Sequence, residues 1–490
     1  MSSGLRHNEE IESLEPPMQI SKTDFIQFLH CPKSLWLLKH KPEAYPHGEF
    51  SDYAEKLAAE GYELEAYVRE LIEAGVDAAQ FSFQTVFQTE RGLYAKTDIV
   101  RENEDGTFNL YEVKSSTRVK ADAKHNQIKD ACFQMIAAEE VRKDVRDVFI
   151  VHLNGDYVRD GEINPDALLT FAKVTSKVRE IEAETRIEIN KALDLLQTAE
   201  IDESCCSCLT LSKANHCDSF EHFNPGIPKP SIYNLPRISK AKLETFAGEG
   251  RFDLEDIGLD EVTEKQAYVL RSAQLREPVV DQGALARWFS RAKYPLYFLD
   301  YETYSSAIPI VDGARPQSPI PFQYSLHIKR TPDDLELVHV EYLAEEATLP
   351  RAMVDHMQRH IGPKGSVISW HASFENTQNK TMAKQFPDKA EFLQSLMDRT
   401  LDLEDLFAAP YVDIAFGGST SIKKVLPVLA GDLDYAGMDV ANGTDAMNAW
   451  KHLISMPDGD VRNRLKESML EYCKLDTYAM VRIFEEMERV

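Results

Sequence analysis

The sequence predicts an α/β protein made of two strand-and-helix units joined by a small helical connector. Three observations predict it. Apolar strand-like runs are interleaved with stretches of helical period throughout both halves. Asp105-Gly106 sits between two such runs as a strong hairpin turn. The breaker cluster NPGIPKP at 224–230 separates the halves. With 490 residues, 43% of them hydrophobic, the chain can build two or three domains with real cores. The expected divisions are a disordered polar tail at 1–18, a first unit at 19–222, a helical connector at 223–292 and a second unit at 293–490.

Taken in order, the first unit is expected to open with helices at 23–40 and 52–74. Strands follow at 81–90, 94–101 and 108–114, the last two flanking the Asp-Gly turn. Helices resume at 122–143 and 165–197 around a strand at 147–153. The connector continues in short amphipathic helical pieces, among them LEDIGLDEVTEKQAYVL at 254–270. In the second unit strands are expected at 297–301, 322–329, 335–342 and 366–370, with helices between and after them. No internal repeat and no low-complexity tract is present.

A formal net charge of −26 is the opposite of the usual nucleic-acid footprint and argues against a broad, sequence-independent coat on DNA. A local basic groove remains compatible with it. Thr117-Arg118-Val119-Lys120 with Lys124-His125 is the candidate. There is no run of eighteen apolar residues, and the polar, acidic opening stretch is unlike a signal peptide, so no membrane association is expected. Seven cysteines, odd in number and mostly clustered, point away from a disulfide framework and toward a reducing, cytoplasmic setting.

The motifs carry the chemistry. In YFLDYET, Asp300 and Glu302 are two apart in a strand and face one side. In the helical stretch containing EYCKLDT, Tyr472 and Asp476 are four apart and share one helix face. Between them, VISWHASFENTQNK places Glu375 at a helix start after a strand. Buried acids without basic neighbours repel one another, so such a cluster calls for a cation. The order resembles the DEDD family of RNase H-like 3′–5′ exonucleases, in the branch with a tyrosine in its third motif. By that resemblance Asp300, Glu302, Glu375 and Asp476 would bind two divalent ions, Mg²⁺ or Mn²⁺, roughly 3.5–4 Å apart. Tyr472 would orient the attacking water. One position departs from the pattern, Glu375 standing where the family carries Asp; Asp402 in RTLDLEDLF is the substitute, though a structural role suits it better. RPQSPIPFQYSLHI reads as a loop and a core strand, part of the fold rather than the chemistry.

In the first unit, Asp98 precedes the hairpin turn, and YEVKSS follows it with Glu112 and Lys114 on one face. Two acids on neighbouring strands can share a cation while the lysine holds water or a phosphate. This resembles the RecB-like branch of the PD-(D/E)XK nucleases, with Gln134 matching the glutamine of the following helix. Two departures stand out: Ala138 replaces the tyrosine usual after that glutamine, and the first-helix histidine is absent, with Glu65 nearby.

Cys31 lies far upstream of SCCSCLTLSKANHC, which holds Cys205, Cys206, Cys208 and Cys217. One early and three late cysteines bracketing a RecB-like core resemble the iron–sulfur nucleases, where a [4Fe–4S] cluster pins the domain ends together. The resemblance implies Cys31, Cys205, Cys208 and Cys217 as ligands, with Cys206 able to replace Cys205 and a Cys₄ zinc site as the alternative. Cys132 and Cys473 read as ordinary core thiols. As a whole the chain resembles an uncharacterised prokaryotic family that fuses an iron–sulfur RecB-like nuclease domain to a DEDD-type exonuclease domain. That resemblance implies a restriction-endonuclease-like mixed sheet in the first unit and an RNase H-like domain in the second. The activity it implies is a metal-dependent 3′–5′ exonuclease on single-stranded DNA, with RNA as the other substrate and genome maintenance or defence against foreign DNA as the setting. The alternatives are a nucleic-acid-binding scaffold with decayed sites and a redox sensor.

Overall fold

The computed structural model describes residues 18–47, 52–74, 80–122, 125–334, 336–435 and 437–490. The tail at 1–17 and Lys124 of the candidate groove lie outside the described residues. The α/β class is the one read from the sequence: the described residues form two mixed sheets with helices packed on them.

The first sheet has six strands: β1 (Ile20–Ser21), β2 (Phe81–Gln88), β3 (Leu93–Glu102), β4 (Phe108–Lys114), β5 (Val145–Leu153) and β6 (Leu169–Lys173). β3 pairs antiparallel with β2 and β4, β4 runs parallel to β5, and β5 is antiparallel to β6. The β3–β4 hairpin turns where expected, with Gly106 at φ +80° and hydrogen bonds between Asn103 and Thr107 closing it. Helix Gln127–Glu140 is buried along almost its whole length between this sheet and helix Thr175–Gln197.

Two expectations for this unit are corrected. The helix read at 23–40 is two helices, Lys22–His30 and Pro32–His40, because Pro32 has no N–H to continue the first and its ring suits the opening turn of the second. The helix read at 165–197 is interrupted by β6, whose LTFAK alternation completes the sheet edge beside β5.

The connector is short turns and helices, as expected, but it is not a detached linker. Its strand β7 (Val279–Val280) pairs with β13 (Tyr411–Val412) of the second unit. The second sheet has five strands: β8 (Leu296–Tyr304), β9 (Ile320–Lys329), β10 (Val338–Leu343), β11 (Ser366–Ser369) and β12 (Thr400–Asp402). Their order is β10-β9-β8-β11-β12, antiparallel on the β10 side of β8 and parallel on the β12 side. β12 has only three residues, too few for a periodic signal, and was not expected from the sequence. The 30-residue helix Asp460–Arg489 packs Ala479, Met480, Ile483 and Phe484 into one core with Leu296 and Phe298 of β8, and meets β9 through Thr477, which hydrogen-bonds with Ser325 and His327.

The two units share a seam. Ala307 and Ile308, in the loop after β8, are buried among Leu64, Val68, Ile99, Tyr111 and Val151 of the first unit. Around them Arg159 donates to the Pro309 carbonyl at 2.8 Å, and Gln317 donates from its amide to the Ser115 carbonyl at 3.0 Å. This loop therefore belongs to the fold, as its sequence suggests, and its job is to join the two units. Ile308→Ala is expected to cost about 2–4 kcal/mol, the range for deleting buried methyl groups. Denaturant unfolding checks it, and a loss below about 0.5 kcal/mol, the ordinary surface value, would show that the seam carries no weight.

Candidate functional site

Three groups of side chains were singled out in the sequence, and the fold brings each together from separate elements. In the second unit, β8 aims Asp300 and Glu302 at one face, opposite Ser325 and Gln323 of β9. Helix Asp460–Arg489 crosses that face and lowers Asp476 and Tyr472 onto it. Helix Ser373–Gln385 adds Glu375 from its first turn. Asp402 stands near enough for its charge to help raise the Glu375 carboxyl, but its own oxygens accept from the backbone N–H groups of His371, Ala372 and Glu404. It thereby fixes the turn that starts the Glu375 helix, the structural role its sequence context suggests.

The electrostatics of this cluster are those of like charges taken out of water. Burial, then Asp476, Glu302 and Glu375, push the Asp300 carboxyl well above the usual range. Burial and Asp476 push Glu302 up to about 8, and burial pushes Glu375 up to about 8. Glu375 Oε2 is buried with no hydrogen-bond partner. Asp476 rises to about 6 through burial, moderated by the Tyr435 hydroxyl, which donates to its Oδ1 at 2.7 Å. Tyr472 is held protonated, its pKa driven well up by burial and by Asp476.

Asp300 and Glu302 bring ligand oxygens within 4.8 Å of each other, whereas Glu375 and Asp476 lie outside that group and are near enough only for their charges to raise the Asp300 carboxyl; oxygens so placed, with one buried lone pair unused, suit a hard divalent cation. Cys473 is fully buried, as a core thiol is expected to be, and its sulfur also lies with the Asp300 and Glu302 carboxylates in a group whose ligand atoms are all within 4.8 Å of one another.

Two residues in this site escaped the sequence reading. Lys423, from helix Ile422–Leu429, stands 5.1 Å from the Tyr435 ring and 5.5 Å from the Tyr472 ring, and its charge lowers the pKa of both Glu302 and Asp476. Tyr435 is the other. Neither belongs to a local acidic pattern, so only the tertiary fold reveals them.

In the first unit, Asp98 on β3 and Glu112 on β4 come together with Lys114, Gln134 and Asp130. Lys114 Nζ lies 2.7 Å from Glu112 Oε1 and 2.8 Å from Asp130 Oδ2. A second cation that the sequence did not disclose, Lys22, meets the same Glu112 oxygen at 2.6 Å. Burial opposes ionisation of Glu112, yet Lys114 and Lys22 outweigh it and hold the carboxyl down at about 2. Asp98 accepts from the Val113 N–H at 2.8 Å and feels the Lys22 charge, yet burial and Glu112 outweigh these and push it up to about 7. Glu65, the residue near the missing histidine, is also close enough for Glu112 to raise its pKa, and Gln84 donates to it. The segment after Lys114 leads straight into Arg118 and Lys120, the described part of the basic groove.

The third group is sulfur. Cys31, Cys206, Cys208 and Cys217 are buried, with all four sulfurs within 4.8 Å of one another. Cys205, assigned in the sequence reading, is exposed and outside the group, so Cys206 takes its place. Adjacent residues point to different sides of an extended backbone, and here it is Cys206 that turns inward, where Asn224 donates to its sulfur at 3.5 Å. Four thiols this crowded can hold a metal ion. Sulfurs on one tetrahedral zinc stand about 3.8 Å apart, and Cys206 and Cys217 are separated by 4.0 Å. Even a regular tetrahedron at the 4.8 Å limit puts its corners only about 2.9 Å from the centre, which suits one ion at a bond length near 2.3 Å. A cubane, in which each thiolate caps a different iron, needs its sulfurs farther apart.

The raised carboxyls of the second unit make stability depend on pH. A carboxyl whose folded pKa exceeds its unfolded value binds more protons when folded, so stability falls as pH rises between the two values. With chelator present, the melting temperature is expected to drop between pH 5 and 8, through the folded values of about 6 for Asp476 and about 8 for Glu302. Mg²⁺ or Mn²⁺ at pH 8 should restore it, and Glu302→Gln should flatten the chelated profile. A melting temperature that rises with pH under chelator would contradict this electrostatic account.

Among known proteins, a family described as "Domain of unknown function (DUF2779)" matches residues 297–421, which include Asp300, Glu302 and Glu375. The chain is similar to the uncharacterized protein MG366 of Mycoplasma genitalium, 26% identical over 215 residues, covering 40% of this chain and 32% of that protein. It is equally similar to the MG366 homolog of Mycoplasma pneumoniae, 26% identical over 216 residues with the same coverage. The chain thus spans about a third of the length of these curated relatives.

Proposed function

We propose that this chain is a metal-dependent nuclease whose second unit hydrolyses phosphodiester bonds from a 3′ end, with single-stranded DNA as the preferred substrate. The observation that carries the reading is the convergence of Asp300, Glu302, Glu375 and Asp476 from one strand and two helices, all with raised pKa values. A structural polar network would pair such charges, whereas a site built to receive cations leaves them in conflict until the cations arrive. The resemblance to DEDD exonucleases points the same way, and the sheet order around β8 supports it.

On this reading the four carboxylates hold Mg²⁺ or Mn²⁺, which when bound activates water and neutralises charge on the departing oxygen. The rest falls to the chain itself. Tyr472, kept protonated, serves as a hydrogen-bond donor that orients the water and cannot act as its base. Tyr435 fixes the Asp476 carboxylate through its 2.7 Å hydrogen bond. Lys423 brings positive charge to the site, where a substrate phosphate would meet it. In the first unit, Asp98 and Glu112 are the metal-holding pair and Lys114 the phosphate partner of a second site. A specific observation favours a second reading for that unit: Glu112 is already neutralised by two lysines, so the same residues suit gripping a phosphate without cutting it. For the cysteine group the sulfur spacing supports one structural ion, zinc, over the [4Fe–4S] cluster that the family resemblance implies.

Asp300→Ala and Asp476→Ala are expected to lower Mn²⁺-dependent release of nucleotides from a 3′-labelled strand at least about 100-fold, the order for losing one strong transition-state interaction. Wild-type digestion by Asp300→Ala would remove the assignment. The purified protein should be colourless and carry about one zinc per chain, and Cys206→Ser should lose metal and solubility while Cys205→Ser keeps both. A brown protein with four irons would restore the cluster.

A further inference from the structure

The helix Asp460–Arg489 is fixed to the second sheet at two points, and one residue sits midway between them. At the earlier point the Gln323 side-chain amide donates to the Met469 carbonyl at 2.9 Å. At the later point the Thr477 hydroxyl hydrogen-bonds with Ser325 at 2.7 Å and with His327 at 2.8 Å. Cys473 is four residues from each and shares the buried helix face with both. Across the β8–β9 pair, Gln323 stands opposite Glu302 and Ser325 opposite Asp300. The two anchors therefore bracket the rungs that carry the acids, and the thiol between them is held over those two carboxylates.

The distances agree. The Cys473 sulfur, one Asp300 oxygen and one Glu302 oxygen all lie within 4.8 Å of one another. Among the described residues, the four-cysteine group is the only other set of three or more His, Cys, Asp or Glu donors drawn so close. Oxygen and sulfur ligands on one tetrahedral zinc stand about 3.6 Å apart, so these donors close on an ion with shifts of about 1 Å or less.

Two unused buried oxygens adjoin the group. Gln323 is fully buried, and with its nitrogen on Met469 its Oε1 has no hydrogen-bond partner. Glu375 Oε2 is likewise buried without one, and the Glu375 charge raises both Asp300 and Glu302. Buried polar atoms left this way are costly, and an ion carrying its own bound water can meet them.

The sulfur decides which ion. Mg²⁺ takes oxygen ligands in near-ideal octahedral geometry and gives up water reluctantly. A thiolate favours softer ions, and affinity for mixed sites rises from Mn²⁺ to Co²⁺.

We propose that Cys473 is the third ligand of a cation site with Asp300 and Glu302, and that its sulfur tunes this site to a borderline transition ion, such as Zn²⁺ or Co²⁺, over Mg²⁺. Binding forms one metal–sulfur bond and breaks the S–H bond, whose proton passes to water. No electron is transferred. The inference rests on the cation site of the nuclease reading above and deepens it by naming the class of ion.

The probe is Co²⁺ added to the full chain, with wild type beside Cys473→Ser, Cys473→Ala and Asp300→Ala. Sulfur bound to Co²⁺ gives a near-ultraviolet charge-transfer band that oxygen ligands do not give. Wild type should gain this band with about one Co²⁺ per chain, and all three variants should lose it. Exchange into the four-cysteine group is common to all four proteins and cancels in the difference. By equilibrium dialysis, Cys473→Ser should weaken Co²⁺ binding at least about tenfold and leave Mg²⁺ binding within about twofold. Co²⁺ bound with identical spectra in wild type and Cys473→Ser would overturn sulfur ligation and leave the cation site standing. Wild type that takes up no cation beyond the four-cysteine group would overturn the cation site and this proposal together. Equal losses of Mg²⁺ and Co²⁺ in Cys473→Ser would show that the thiol only packs the site. Circular dichroism checks that each variant folds. Should both Cys473 variants unfold, Asp300→Ala, which keeps the thiol, carries the test, and a band of full strength there would overturn the proposal.

Discussion

The contact on which the rest of the architecture depends is the meeting of four sulfurs. Cys31 caps the helix Pro32–His40, while Cys206, Cys208 and Cys217 follow the helix that closes the first unit. Bringing these ends together closes a loop of about 175 residues, an entropic cost that grows only slowly with length and that one strong ligand set can offset. The connector is built on the same point. Phe220, Phe223, Tyr233, Leu243, Phe246 and Leu270 pack around the cysteines, and Val412 of the second unit joins them. The cysteine group is thus the core of the region between the two units, and the β7–β13 pairing and the Ser272–Ile414 hydrogen bond extend from it.

The two acidic sites solve the problem of buried charge in opposite ways. In the first unit the protein supplies its own cations: Lys22 and Lys114 converge on one oxygen of Glu112 and keep it ionised. In the second unit Lys423 is, among the described residues, the one cation that lowers the carboxyls, and the conflict is left standing. A group with internal cations tolerates the absence of metal. A group without them carries like-charge repulsion that nothing within the site relieves.

Much of this was legible in the sequence wherever local periodicity governs. The two-residue spacing of Asp300 and Glu302 and the four-residue spacing of Tyr472 and Asp476 are fixed by strand and helix geometry, and the β3–β4 hairpin by its Asp-Gly turn. What was not legible depends on tertiary approach. Lys22 and Lys423 are separated from their acids by about 90 and 50–120 residues, and no spacing rule connects them. The choice between Cys205 and Cys206 turns on one backbone direction in a loop. β6 and β12 are shorter than the window in which a period can be seen, and they form because a neighbouring strand offers its edge.

The position of Asp476 on the helix Asp460–Arg489 has a consequence for the order in which the molecule is made. All five strands of the second sheet, and three of its four acids, are synthesised before that helix begins. At ordinary elongation rates the interval between Asp300 and Asp476 is roughly 10–35 s, long on the scale of sheet formation. During it Leu296 and Phe298 of β8, which Ala479, Met480, Ile483 and Phe484 will join in one core, have no partner from that helix. Docking then has to bring the fourth acid onto three others. A nascent second unit therefore exposes an apolar face that carries three buried-to-be acids until the last helix docks, and on the proposed reading a divalent cation would ease that closing step before it served in any chemistry.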